Sequence, residues 1–216
     1  FYSVKSRGTA AMVGGITHLY NMSVVRSTAA FLPVLLTALL PAHAPGATTA
    51  ADALPAVKAW VQQPRAIRPA LAADVTKAPL TKEAAAEITK LLWEDYAAGV
   101  KETRAEEVKA KVLTHGDKKM KYEVLKFGDK KTGQPLFISM HGGGGAPPQV
   151  NESQWENQIK LGQAYKPAAG VYVAPRAPTD TWNLWHEGHI DPLFERLVQN
   201  MIVFEGVDPN KVYIMG

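Results

Sequence analysis

Residues Pro135–Gly145 read PLFISMHGGGG. The apolar run Leu136, Phe137, Ile138 and Met140 has the length and composition of a buried strand. It ends in His141 and four consecutive glycines, Gly142–Gly145. Four residues without side chains cannot pack and lose the most entropy on ordering. A folded chain keeps such a stretch where the backbone must turn sharply or come close to a ligand. Strand followed by His-Gly-Gly-Gly-Gly therefore predicts a functional loop at a strand end, and the order strand, strand, helix, strand, helix, strand along the chain fits an α/β fold with a largely parallel, helix-covered sheet.

Other glycine-loop chemistries fit less well. A phosphate-cradling P-loop needs Lys and Ser/Thr after its last glycine. Here Gly145 is followed by Ala146-Pro147-Pro148, which removes donors and supplies no cation. A dinucleotide-binding G-x-G-x-x-G loop must open directly into a helix, and no helix starts at Gly145. His186-Glu187-Gly188-His189 spaces its histidines at i and i+3. A zinc-binding helix needs i and i+4, so no metal is expected there. Ser139 lies inside a strand and Ser153 at a helix start without flanking glycines. Neither reads as a nucleophile.

The first 44 residues carry Lys5, Arg7 and Arg26 and no acid, and they account for most of the formal charge of +4. The rest of the chain is nearly balanced, which excludes a nucleic-acid face built on net charge. Met22-Ser23-Val24-Val25-Arg26, the apolar Ala29–Leu40 and the small-residue site Ala42-His43-Ala44 form the three regions of an export signal. On this reading Met22 is the start, and residues 1–21 lie upstream of it. The apolar segment is too short to span a bilayer. A secreted or periplasmic protein without a stable membrane span is expected. The chain has no cysteine, so disulfides and a thiol nucleophile are excluded.

Residues 45–79, rich in Ala, Pro and Thr, read as a linker or N-terminal arm, with Val57, Trp60 and Val61 as a docking patch. The domain proper is expected over residues 80–216. Thr81–Ala98 reads as an amphipathic helix capped by Thr81 and stopped by Gly99. Thr103-x-x-Glu106 reads as the capping box of a second helix that includes Val108, Val112 and Leu113. Lys121–Phe127 alternates as a strand and is expected to form a hairpin-like pair with Leu136–Met140. Asn151–Leu161 reads as a helix with Asn151 as its cap, and Gly170–Ala174 as a buried strand. The loop 174–187 carries Trp182, Trp185 and His186, which are candidates for binding an aromatic, sugar or polyester group. Asp191-Pro192 opens a helix to about Phe204. A turn over Gly206–Asn210 then leads into a last strand that ends at Gly216.

Strand-His-Gly-Gly-Gly resembles the oxyanion loop of lipases and esterases of the α/β-hydrolase fold. PNKVYIMG, Pro209–Gly216, resembles the strand before the G-x-S-x-G nucleophile elbow, with Gly216 as the first glycine of that motif. With Val171–Pro175, the likeness covers roughly Lys119–Gly216. It is greatest to the secreted esterase group that includes polyhydroxyalkanoate-depolymerase-like and dienelactone-hydrolase-like enzymes and related peptidases. The resemblance implies a mostly parallel sheet covered by helices, cut before the nucleophile elbow. It also implies a Ser-His-Asp mechanism acting on a small-molecule or polymeric ester, with no cofactor. It assigns Gly143 and Gly144 to the oxyanion hole and His141 to loop support. Nucleophile, acid and base then lie outside these 216 residues, and the chain alone is expected to be inactive. A peptidase on the same fold, or a non-catalytic glycan- or polymer-binding module using the tryptophan loop, are the alternative functions.

Overall fold

A computed structural model describes residues 50–129, 132–165 and 169–216. The expected export leader, 1–44, and its start at Met22 lie outside them. The described chain divides into two compact units that part between Tyr96 and Ala97.

In the first unit, helix α1 (Ala50–Val61), a 3-10 turn (Arg65–Ile67) and the short α2 (Ala73–Lys77) precede the long α3 (Lys82–Ala110), whose residues up to Tyr96 belong to this unit. The segment expected as a linker or arm thus contains helices. Ala53 and Val57 are buried together with Ile88 of α3, and Leu71, Val75 and Leu92 pack around them. Asp95 holds the segment by charge. Its carboxylate accepts from Arg65 Nη2 at 2.9 Å and from Arg68 Nη1 at 2.7 Å. Arg68 also lies over the Trp60 ring, 4.5 Å from its centroid.

Thr81 caps α3 as expected: its Oγ1 accepts from the Ala84 N–H at 3.2 Å. Gly99, however, does not end the helix. Thr103 opens no second one, because its Oγ1 donates back to the Gly99 carbonyl at 2.8 Å, a bond made inside a continuous helix. A single glycine costs a helix about 1 kcal/mol, which the good helix formers on either side offset.

The second unit is built on a five-stranded sheet with the order β1-β2-β4-β3-β5. The strands are β1 (Val112–His115), β2 (Lys118–Phe127), β3 (Gln134–Ser139), β4 (Gly170–Pro175) and β5 (Val207–Met215). Val112 and Leu113, expected in a helix, form β1, which pairs antiparallel with β2 through a turn at Gly116 (φ +59°). β2 does not pair with β3 as expected. It pairs antiparallel with β4, Val124 opposite Val173. β3 runs parallel to both β4 and β5. The sheet is therefore mixed rather than mostly parallel.

Helix α4 (Pro148–Tyr165) joins β3 to β4, and α5 (Ile190–Glu205) joins β4 to β5 on the far side of β3. Right-handed crossovers that step in opposite directions place their helices on opposite faces, and the side chains agree. Leu136, Ile138, Val171 and Val173 bury against Leu193, Leu197 and Met201 of α5. Tyr172 points the other way, its hydroxyl donating to the Gln158 carbonyl of α4 at 2.8 Å. Gly206 (φ +68°) ends α5 in the left-handed conformation that glycine adopts most readily.

In the first unit, Asp95→Ala would leave the buried Arg68 guanidinium (side chain 5% exposed) short of its carboxylate. Removing one partner of a buried pair costs about 3–5 kcal/mol. Urea denaturation of the variant is expected to show a loss of that size.

Candidate functional site

The connections after β3 and β4 leave for opposite faces of the sheet. Ligands of open α/β sheets bind outside the carboxyl ends of strands at such a switch point. Three chain segments meet there. β3 continues into Met140-His141 and the glycines, β4 into Arg176-Ala177 and the tryptophan loop, and β5 into Met215-Gly216. The Met140 N–H donates to the Met215 carbonyl at 2.7 Å, so the end of β5 lies beside the start of the glycine loop.

His141 joins the first two segments. Its side chain is buried, 2% exposed. The Ala177 N–H donates to Nε2 at 3.1 Å. An amide N–H can only donate, so Nε2 is unprotonated. The proton is therefore on Nδ1, which donates to the Gly142 carbonyl at 2.7 Å. Burial pushes the imidazole pKa below its ordinary value, with the positive charge of Arg176 acting in the same direction. His141 is thus a neutral ring with both nitrogens engaged in holding backbone.

Trp185 completes this clamp. Its Nε1 donates to the His141 carbonyl at 2.9 Å, and its ring meets the imidazole edge-on with centroids 5.3 Å apart. On its other side it packs edge-on against Phe194. Of the residues expected to bind substrate, Trp185 is committed to holding the loop. His186 is exposed. Trp182 is 86% exposed, and its backbone carbonyl and ring lie against Gly144 and Gly145. The turn that presents Trp182 is fastened by Thr179 and Thr181, whose hydroxyls donate to Glu187. These bonds, Thr181's first, lower the Glu187 pKa.

The glycines are required by geometry at two positions. Gly143 has φ +105°, and a Cβ there would sit 2.7 Å from Asn151 Oδ1. Gly144 leaves no room for a side chain against the Trp182 carbonyl and Leu184. The loop closes on itself where the Ala146 N–H donates to the Gly143 carbonyl at 2.9 Å. Asn151, expected as a helix cap, lies within the first turn of α4 instead, because Pro148 already starts the helix. It is fully buried, and its Nδ2 donates to the Ala146 carbonyl at 3.1 Å.

Among the described residues, none of the N–H groups of Gly142–Gly145 donates to a protein acceptor. A fixed loop with free N–H donors, at a strand end and ahead of a helix N-terminus, can stabilise negative charge. Ser139 is buried and donates to Gln158 Oε1 at 2.6 Å, which leaves it no nucleophilic role. His189 Nδ1 lies 3.4 Å from Glu187 Oε2. Among the described residues, no group of three or more His, Asp or Glu side chains is placed to hold a metal. Nor is any helix among them long and apolar enough to cross a membrane. The Ala177 N–H had no sequence signal, and Asn151 signalled only a helix cap, because the tertiary fold alone brings both to the loop.

Comparison with known protein families, characterised proteins and solved structures finds no match.

Two predictions follow from the loop geometry. Gly143→Ala forces a side chain into a left-handed backbone, costing about 1–2 kcal/mol, and displaces Asn151 as well. Gly142→Ala meets nothing within 4 Å and is expected to change stability by less than about 0.5 kcal/mol. Denaturation midpoints of the pair check this contrast. The second concerns pH. The folded pKa of His141 lies below its unfolded value near 6.5, so on acidification the unfolded chain takes up the proton first. Stability should therefore fall as pH drops below about 6.5. An NMR titration of the His141 ring should show it still neutral at that pH.

Proposed function

We propose that this chain carries the oxyanion half of a serine hydrolase that cleaves carboxylic esters in an exported, secreted or periplasmic setting. On this reading the α/β fold is of the hydrolase type and Gly216 is the first glycine of a nucleophile elbow. The observation that carries the reading is the free N–H groups of the glycine loop. The loop stands directly after β3 and before the next helix, which is the place such hydrolases use for one oxyanion donor. Gly143 and Gly144 supply that donor, and the residue after the nucleophile supplies the second. β5 supports the reading further. It runs parallel to β3 and ends beside Met140, so a serine on the turn after it would face the same loop.

The chemistry follows in two steps. The serine oxygen attacks the ester carbonyl and its proton passes to a histidine. The carbonyl oxygen becomes an oxyanion and draws hydrogen bonds from the glycine N–H groups. The tetrahedral species collapses, the alcohol leaves with the proton, and water then hydrolyses the acyl-enzyme in the same way. His141 is not that base. Its Nε2 accepts the Ala177 N–H and its Nδ1 is held by Gly142. Trp182 lies beside the loop and offers a face for the acyl or alcohol part of the substrate. Its exposure also favours the second reading, a glycan- or polymer-binding surface without catalysis.

The test is the protein translated through the segment after Gly216, treated with a fluorophosphonate and assayed on 4-nitrophenyl butyrate. Labelling at a serine two residues after Gly216, with ester turnover lost on its replacement by alanine, is the expected result. No labelling and no turnover would overturn the enzyme reading. Turnover of peptides in place of esters would favour the peptidase. Trp182→Ala is expected to raise KM about tenfold, an energy of about 1.4 kcal/mol, and to leave kcat unchanged.

A further inference from the structure

On the β2 side of the same unit lies a cavity of about 170 Å³, lined by Lys119, Lys121, Glu152, Arg176, Ala177 and Pro178. It is far larger than the ~10–15 Å³ that one water needs. Lys119 and Lys121 are two apart on β2, so they project to one face. Arg176 follows β4, and its N–H donates to the Lys121 carbonyl at 2.8 Å, which extends the β2–β4 ladder and sets the third cation beside the second.

One carboxylate serves two of these cations. Glu152 Oε2 takes Arg176 Nε at 3.2 Å, and its Oε1 takes Lys121 Nζ at 3.4 Å. Arg176 also donates to the Ala177 carbonyl at 2.8 Å and to Asp180 at 2.5 Å. Of its five N–H donors, two remain. Among the described residues the Lys119 side chain has neither an ion pair nor a hydrogen bond. Three cations against Glu152 and Asp180 leave one positive charge in excess, and Ala177 and Pro178 form a small apolar wall.

We infer that this cavity is a binding site for a small monocarboxylate. The acid's oxygens would meet Lys119, Lys121 and the spare Arg176 donors, and its short alkyl part would lie on Ala177 and Pro178. A charge-assisted contact to lysine or arginine is among the stronger hydrogen bonds available to such an anion. A dianion is disfavoured, because Glu152 and Asp180 stand close and only one positive charge is uncompensated. The site is independent of any nucleophile after Gly216 and does not rest on the hydrolase reading.

The experiment is an amide NMR titration of this chain with sodium acetate, against sodium chloride at matched ionic strength. Saturable shifts at Lys119, Lys121, Arg176 and Ala177 with acetate, absent with chloride, are expected. Lys119→Gln, at an exposed position, should weaken acetate binding at least fivefold with the rest of the spectrum unchanged. Equal shifts with chloride, an unchanged affinity in Lys119→Gln, or tighter binding of hydrogen phosphate than of acetate would each overturn the assignment.

Discussion

The imidazole of His141 is the joint on which the candidate site depends. One nitrogen accepts an amide from the segment after β4, and the other donates to the first glycine carbonyl of the segment after β3. The backbone of His141 itself is held by the indole of Trp185. Each bond is modest alone, about 0.5–1.5 kcal/mol. Together they connect two loops that have no ladder between them. The neutral state is part of the device, because a proton on Nε2 would face an N–H donor.

That joint accounts for an otherwise costly loop. Consecutive glycines favour a mobile chain, since each gives up much entropy on ordering. Here the loop is fixed by its flanks: His141 before it, the Gly143–Ala146 turn within it, and the buried Asn151 after it. The fixing bonds engage side chains, carbonyls and the Ala146 N–H, so the glycine N–H groups stay free. Preorganised donors need no reorganisation when charge develops in front of them. The absence of side chains at Gly143 and Gly144 brings the backbone against Asn151 and Trp182.

Much of this was legible in the sequence where a local pattern decided the outcome. The apolar runs at Leu136–Met140 and Gly170–Ala174 became β3 and β4, and Gly206 follows the end of α5. Asp191-Pro192, expected to open α5, lies inside its first turn because the helix already starts at Ile190, and Val207–Asn210, expected as a turn, begins β5. What failed depended on distant partners. β2 alternates as an edge strand does, but nothing local says that β4 rather than β3 lies beside it. Gly99 reads as a stop, yet both of its neighbouring segments prefer helix. Residues 50–79 read as linker by composition, and only contacts with Ile88 and Asp95 make them fold. At the site, the glycines and Trp182 stood out as residue types. Trp185 looked like its twin until the fold turned its N–H onto His141. Asn151 looked like a cap because Asn commonly is one.

The central claim is that the glycine loop presents its N–H groups to a developing oxyanion. The most direct measurement is a crystal structure of the protein extended past Gly216 and inactivated with an alkyl phosphonate, which mimics the tetrahedral intermediate. The account predicts the phosphonyl oxygen within about 2.7–3.1 Å of the Gly143 or Gly144 nitrogen, with His141 still bound to Ala177. A phosphonyl oxygen directed to solvent, with the glycine N–H groups turned away from it, would contradict the account.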